Sequence, residues 1–524
     1  MTVGTVTAAD GLREYAGDYA RDLVAMLERT VADRGATVAF VDDARRVTWS
    51  EFGDEVEGLA RRLAATGVRQ GDRVGLLFRN GIPYTVALWA VWRLAAIVVP
   101  LNARLVPEEM STLLRNADPV LLLIGRGLEN AGDEVARSLP SLRGAYREDA
   151  EGRLLGEVEP AGEPPVPRLS PQDPAAIMYT SGTTGQPKGV IISHRNAVQN
   201  SRTCLDVIGR RPGEVELVMV PQFNITGLNS QTIPVVSAGM TGILASAFDP
   251  SRILELMEMH AVNATVGSPT MWWRLMEEPS LSERDLSSLR LLLYGGAPMP
   301  PALLDRLQRA FPAATFGNGY GMTETCSMLT YIDGADIFAH PDSVGRPLPI
   351  TDARAVDPQT KRDVGTGEVG ELWVKGAQVS VGYWRNPEAT GALFEDGWLR
   401  TGDAVSIESD GFITLRDRLK DVVKRGGESI YSFEIENVLF QFPAVLDAAV
   451  VGIPDEVYGE RVKAVVVLKP GQHATESDIK EFCRQHLGRF KVPSIVEFRA
   501  ELPRNPGGKV LKKLLREAQP AEKG

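Results

Sequence analysis

Short apolar runs alternating with amphipathic stretches constrain this chain more than any other feature. Val74–Phe78, Ile97–Val99 and Val120–Ile124 are each four or five residues or fewer, carry no polar face, and are bounded by Gly, Pro or Asp. Runs of that kind read as strands buried on both faces, which is the signature of a parallel sheet covered by helices. Between them lie helical patterns. Ala20–Arg34 is amphipathic, and Thr48–Gly67 opens on Thr48-Trp-Ser-Glu51, a capping box, and continues with apolar Phe52, Val56, Leu59, Ala60 and Leu63. A strand is expected at Val38–Val41, and further ones at Val215–Val220, Ile243–Ala245, Ala264–Val266 and Leu291–Tyr294. The expected fold class is therefore α/β, with a large multi-layer N-terminal domain built on mainly parallel sheets.

After Val344 the pattern changes. Short strands at Ala353–Val356, Gly370–Val374 and Phe412–Leu415, separated by Gly/Asp/Pro turns, predict a small β-rich subdomain. From about Leu419 the chain again mixes strands (Val445–Ile453, Val462–Leu468, Ile495–Phe498) with helices, enough for a small separate α+β domain. At 524 residues, more than one folding unit is expected. The proline-rich stretch 156–171 reads as a connecting loop, since both of its flanks are α/β.

Composition excludes several classes. A hydrophobic content of 44% and a charged content of 24% fit a globular protein, and a net charge of −11 disfavours nucleic acid as a partner. The three cysteines (Cys204, Cys326, Cys483) form no pattern for a disulfide framework or zinc site. The five histidines lack H-E-x-x-H spacing. The N-terminus has no apolar core of signal-peptide type, and Val86–Leu101, the most hydrophobic stretch, is too short to span a bilayer and contains Arg93. A cytoplasmic location without a membrane span is the expectation.

Chemistry concentrates first in Tyr179-Thr-Ser-Gly-Thr-Thr-Gly-Gln-Pro-Lys-Gly-Val190. A buried strand (Ala175–Tyr179) leads in, and a second apolar run leads out to a helix start at Ser193-His-Arg-Asn196. Glycines let backbone N–H groups approach a ligand, and hydroxyls with a lysine beside them suit phosphate oxygens. The stretch is not a Walker A loop, because no Gly-Lys-Ser/Thr closes it onto a helix. Four more segments carry polar residues that packing would not select: Asn318-Gly-Tyr-Gly-Met-Thr-Glu324, Gly397-Trp-Leu-Arg-Thr-Gly-Asp403, Arg416–Asp421 followed by Lys424-Arg-Gly-Gly-Glu428, and Pro503-Arg-Asn-Pro-Gly-Gly-Lys509. Any one of them alone is an ordinary solvated loop.

In this order and spacing, they make the chain resemble the AMP-forming acyl-CoA synthetase and adenylation family, which includes peptide-synthetase adenylation domains and luciferase. The resemblance runs from about residue 20 to 516. It implies a domain over 1–418 holding ATP and the acyl group, and a mobile domain over 419–524 that turns about a hinge near Lys420. It implies ATP, Mg²⁺ and CoA as cofactors and a carboxylic acid as substrate. Thr180, Ser181, Gly182, Thr183, Thr184 and Lys188 would hold the phosphates. Gly296, Ala297, Pro298, Asn318, Gly319, Tyr320, Asp403 and Arg418 would hold adenine and ribose. Thr323 would contact the α-phosphate, Glu324 and Thr184 the metal, and Lys509 would bridge carboxylate and phosphate as the chief catalytic group. Gly426, Gly427 and Glu428 would serve the pantetheine arm. Lys509 is also where bacterial relatives are acetylated, a modification that removes the charge.

The acyl pocket implied by the resemblance draws on Phe223, Asn224, Gly227, Gly295 and Gly321. Asn224 is neutral where amino-acid-activating domains carry Asp, which disfavours an α-amino acid. With Gly227 it leaves room for a bulky acyl group, or its amide bonds a ring hydroxyl, or it caps the following turn. Trp272, Trp273, Met271 and Met299 are either apolar wall or core. The expected function is ATP-dependent, AMP-forming ligation of a hydrophobic acid, bulky or cyclic forms included, to CoA. The alternative is a free-standing adenylase that loads a separate holo-acyl carrier protein.

Overall fold

The computed structural model describes residues 3–150, 152–160, 162, 168–180, 187–297, 299–504 and 510–516. It divides into two compact units. The first comprises 1–299, 303–352 and 374–399, and the second 300–302, 353–373 and 400–524. Residue 418, where the sequence places the domain boundary, lies inside the second unit.

After a two-stranded antiparallel ribbon (Thr5–Thr7 with Arg13–Tyr15), the first unit continues with helix α1 (Leu23–Arg34), strands β1 (Val38–Val41) and β2 (Arg46–Thr48), and helix α2 (Trp49–Ala65). The Thr48/Glu51 capping box is present, and it satisfies backbone donors that a helix start leaves unpaired. Strand β3 (Arg73–Leu77), helix α3 (Ile82–Arg93) and strand β4 (Ile97–Pro100) follow. The most hydrophobic stretch is thus a buried helix and a buried strand, turned at Ala95 (φ 52°), and no helix among the described residues is long and apolar enough to cross a membrane. α3 packs on α2 through Trp89, which meets Phe52 edge-on at 6.0 Å.

Strands β5 (Leu121–Ile124), β6 (Gly144–Arg147), β7 (Pro174–Thr180) and β8 (Lys188–Ser193) complete a six-stranded sheet of order β8-β7-β4-β3-β5-β6. All of its pairs are parallel except β7–β8. Helix α4 (His194–Asp206) leaves β8 through a second capping box, Ser193 with Asn196. The second sheet of this unit is formed by β9 (Val215–Val218), β10 (Thr241–Leu244), β11 (Ala264–Gly267), β12 (Leu291–Gly295), β13 (Thr315–Tyr320), β14 (Thr330–Asp333) and β15 (Ser343–Pro347), with β1 and β2. The order is β15-β14-β13-β12-β11-β9-β10-β1-β2, parallel from β13 to β1. Parallel strands end on one side, and ligands of open α/β sheets bind outside those carboxyl ends.

The second unit draws on β16 (Thr351–Val356), β17 (Val369–Gly376), β18 (Trp398–Ile407) and β19 (Ile413–Arg418), neighbours in that order and matching the expected β-rich segment. Strands β20 (Val423–Arg425) and β21 (Glu428–Ile430), helix α5 (Ser432–Gln441), strands β22 (Val445–Asp455) and β23 (Gly459–Leu468), helix α6 (Glu476–His486), strand β24 (Ile495–Phe498) and the short helix α7 (Lys512–Arg516) follow. β21-β20-β23-β22 form a sheet, and β24 runs parallel beside β23. Apolar side chains fill both of its faces: Ile435, Leu439, Ile479 and Cys483 on one, and Leu502 and Leu515 against Val451 and Val465 on the other.

Candidate active site

In the first unit the hairpin β7–β8 sets Thr180 directly opposite Lys188, so the two ends of the glycine-rich loop lie side by side. Ser181, Gly182, Thr183 and Thr184 lie outside the described residues. The free edge of β8 is covered by a segment from far along the chain. Ile191 N–H donates to Gly382 O (3.0 Å) and Trp384 N–H to Gly189 O (2.7 Å), with Val190 bridged to Tyr383. This brings Tyr383 to the loop. Lys188 Nζ sits 5.0 Å above the Tyr383 ring, a cation–π geometry, and the Tyr383 hydroxyl donates to Glu324 Oε1 at 2.7 Å. Glu324 is 7% exposed, and its carbonyl accepts from Ser380 N–H at 2.8 Å. Burial, then the neighbouring Glu324 charge, push the Tyr383 phenol well above its ordinary range, so it stays a donor. Sequence reasoning missed Tyr383. The aromatic pair Tyr383-Trp384 directly after Gly382 was the available signal.

Strands β12 and β13 bring two further predicted segments together. Tyr294 pairs with Asn318 and Gly295 with Gly319, at the carboxyl ends of both strands. A Cβ on Gly295 would stand 2.6 Å from Gly319 O, so close backbone approach explains that glycine. Gly296 (φ 80°) and Ala297 continue into an exposed turn, while Pro298 is outside the described residues. Tyr320 pairs with Thr330, and Thr323–Thr325 form one 3₁₀ turn that ends at Cys326 in the left-handed region (φ 54°). At Gly321 a Cβ would run into the Ser327 carbonyl. Its lack of a side chain serves the backbone.

The segment Pro221–Gly227 runs into a π-helix, Thr226–Thr232, a form frequent at functional sites. Asn224 Oδ1 accepts from Thr226 N–H at 3.2 Å, which is the turn-capping role. Gly227 does not open room for a substrate: a Cβ there would collide with the backbone of Val220 and Pro221. Phe223 and Asn224 are half-buried. Trp272 is 1% exposed and donates to Leu293 O at 3.0 Å, so it is core.

In the second unit Asp403 on β18 and Arg418 on β19 are register partners, with Arg418 Nε 2.9 Å from Asp403 Oδ1. Asp403 is 2% exposed and its N–H donates to Thr401 Oγ1. Next to Arg418, Asp417 is wholly buried, and desolvation pushes its carboxyl up to about 6 against the pull of Lys512. Burial likewise lowers Lys420 from the ordinary lysine range. Gly426 (φ 58°) and Gly427 (φ 87°) are the two left-handed residues of the tight turn joining β20 to β21, where Arg425 pairs with Glu428. Beyond this turn, Arg425, Lys480, Arg484 and Arg489 line a depression of about 450 Å³. Lys509 lies outside the described residues.

The described residues thus pair Thr180 with Lys188 beside Tyr383, bond Tyr383 to the buried carboxylate of Glu324, and align the carboxyl ends of β12 and β13. The chain belongs to the AMP-binding enzyme family: the model of that family matches residues 27–384, and the model of the AMP-binding enzyme C-terminal domain matches 434–509. It is 38% identical over 473 residues to a feruloyl-CoA synthase of Amycolatopsis, spanning 89% of this chain and 92% of that one. It is 32% identical to ScoC, a fatty acid–[acyl-carrier-protein] ligase of Streptomyces coeruleorubidus, over 92% of this chain and 93% of that one. The ATP-bound crystal structure of MatB from Rhodopseudomonas palustris superposes with a TM-score of 0.86 at 31% identity, over 95% of this chain and 98% of that one. The protein is an ATP-dependent, AMP-forming acid–thiol ligase.

Proposed function

We propose that this ligase activates a hydrophobic acid of aromatic or cyclic type as its acyl-AMP and passes the acyl group to CoA. A carboxylate oxygen attacks the α-phosphorus of ATP, the bond from that phosphorus to the bridging oxygen breaks, and pyrophosphate leaves. The CoA thiolate then attacks the acyl carbonyl, and AMP leaves with the bonding pair. The first step brings an anion to a polyanion, so fixed cations carry much of its cost.

The observation that carries this reading is the Lys188–Tyr383–Glu324 arrangement beside the loop. Lys188 and Thr180, with Ser181, Gly182, Thr183 and Thr184, hold the β- and γ-phosphates. Gly296–Pro298 and Asn318–Tyr320 take adenine, Asp403 and Arg418 take the ribose hydroxyls, and Thr323 meets the α-phosphate. The donor set suits Mg²⁺, which binds through one or two carboxylates while keeping waters and phosphate oxygens; Glu324 is such a buried carboxylate, and no cluster of three acidic, His or Cys side chains competes for a metal among the described residues. When bound, Mg²⁺ offsets phosphate charge. Lys509 bridges the substrate carboxylate and the phosphate. Lys509→Ala lowers acid-dependent pyrophosphate exchange about 100- to 1,000-fold, and near-full exchange rules the role out.

For the acid, neutral Asn224 disfavours an α-amino group, and the 38% relative's name points to ferulate. The cation-lined depression at Arg425, Lys480, Arg484 and Arg489 suits the phosphates of CoA. The second reading, transfer to a holo-carrier protein, is favoured by the likeness to ScoC. A hydroxamate screen of ferulate, related aromatic acids, polycyclic propanoates and palmitate, followed by transfer to CoA or to holo-carrier, tests both. Preference for palmitate over every aromatic and cyclic acid overturns the proposed acid class.

A further inference from the structure

The last described helix, α7, has five residues, too few to hold itself together in water. It is held by its side chains. Leu515 is wholly buried against Val451, Val465 and Leu502, and Lys463 Nζ donates to its carbonyl at 3.1 Å. Lys512, which composition alone assigns to a solvated basic tail, is only 13% exposed. Its Nζ lies 2.7 Å from Ser432 Oγ and 2.7 Å from Glu436 Oε1, both on α5. The Ser432 N–H in turn donates to buried Asp417. One turn further on, Arg516 donates to the Lys420 carbonyl (3.0 Å) and pairs with Asp421 Oδ1 (2.7 Å).

The stem just ahead of α7 is pinned as well. Arg504 and Val510 form an antiparallel bridge, Leu511 N–H donates to Pro503 O at 2.8 Å, and Arg504 reaches Asp447 at 2.5 Å. Lys512 follows Lys509 by three residues, and the described residues on either side of 505–509 are tied down. Two cations at i and i+4 of one short helix therefore join that stem to two places: the start of α5 and the chain leaving β19 at Lys420–Asp421. An ammonium so far withdrawn from water needs such partners, because leaving it unpaired is costly.

We propose that Lys512 and Arg516 are positioning residues for the adenylation half-reaction, fixing the stem that carries Lys509 and registering it against the backbone carbonyl of Lys420. The inference rests on the reading of Lys509 as the group that bridges carboxylate and phosphate. Thioester formation from ready-made acyl-AMP has no use for Lys509 in that reading, so the two half-reactions should separate. Misplacing a reacting group by about 1 Å can cost about 100-fold.

The test uses the full-length enzyme with ferulate, or the acid from the screen that gives the fastest exchange, and the matching synthetic acyl-AMP. Lys512→Met, which keeps the apolar stem, is expected to lower the kcat of pyrophosphate exchange about 30- to 100-fold with KM for ATP within about threefold. Thioester formation from acyl-AMP stays within about threefold, and Lys512→Arg restores most of the exchange. Arg516→Gln, at a more exposed position, supplies the same comparison if Lys512→Met does not fold. Unchanged exchange, or parallel loss of both half-reactions, overturns the proposal. Lys509→Ala separates the two levels. If it spares exchange, the reading of Lys509 falls and this inference with it; if it abolishes exchange while the Lys512 and Arg516 variants do not, this inference alone falls.

Discussion

Replacing Tyr383 by Phe removes one oxygen from the centre of the first unit's polar cluster. That hydroxyl donates at 2.7 Å to Glu324, and both groups are under a tenth exposed. Hydrogen bonds to a charged partner contribute roughly 1.5–3 kcal/mol, and a buried acceptor left unpaired bears its full desolvation cost. At about 1.4 kcal/mol per decade, that corresponds to a loss of about 10- to 150-fold in kcat/KM for ATP. The Phe ring still offers a face to Lys188, so the cation–π contact persists in weaker form. The phenol titrates well above its ordinary range, so the loss should be the same at pH 7 and pH 9. The assay is pyrophosphate exchange titrated with Mg²⁺ at both pH values, alongside a melting curve. If Glu324 holds the metal, the variant needs more Mg²⁺ for half-maximal exchange. An unchanged Mg²⁺ dependence with unchanged kcat/KM would falsify the argument, and so would a loss fully explained by a lower Tm.

Three further outcomes follow from described contacts. His194 accepts from Leu23 N–H at 3.3 Å, and burial pushes it down to about 4, with Asp22 and Asp173 opposing. An unfolded histidine titrates near ~6.5, so the unfolded chain binds the extra proton between ~pH 6.5 and ~4. The associated stability, up to ~3 kcal/mol, is present above that window and lost as pH falls through it. Thermal melts should show His194→Gln flatter than the parent between pH 7 and 5; identical slopes would sink the assignment. Arg210 and Glu216 form an ion pair with neither side chain exposed, 2.9 Å apart. Arg210→Met should cost about 3–5 kcal/mol in urea unfolding, and adding Glu216→Leu should recover most of it, whereas a single-variant cost under about 1 kcal/mol contradicts a wholly buried pair. Lys420→Pro, at the proposed hinge, should spare acyl-AMP formation and block thioester formation, since proline cannot absorb a large backbone change; equal loss in both half-reactions argues against a hinge there.

The fold was legible wherever a local rule dominated. Thr48 with Glu51 and Ser193 with Asn196 announce helix starts through their own side chains, and the apolar runs Val74–Phe78, Ile97–Val99 and Val120–Ile124 fall within one residue of the buried strands Arg73–Leu77, Ile97–Pro100 and Leu121–Ile124. Gly426 and Gly427, which the resemblance assigns to the pantetheine arm, prove in the fold to be the two left-handed residues of a tight turn. What escaped depends on distant contacts. Tyr383 and Glu324 are 59 positions apart, and no periodicity links them. Lys512 lies 80 positions from Ser432, and read locally it is one more lysine in a basic tail. Gly227 misled in the other direction: a missing side chain suggested space, but backbone fills it. A glycine in a sequence shows that a Cβ is unwelcome, and only the fold tells whether ligand or main chain excludes it.

The stitch between β8 and Gly382–Trp384 has a consequence for the chain as it is made. β8 is the outermost strand of its sheet, and the segment that covers it is synthesised about 190 residues later. At ribosomal speeds of about 5–20 residues per second, that edge waits roughly 10–40 s for its partner. An uncovered strand edge is a template for pairing with another chain. The nascent enzyme should be most prone to aggregate after Ser193 has emerged and before Trp384 has, and any truncation that ends in that interval leaves the β7–β8 hairpin on an open edge.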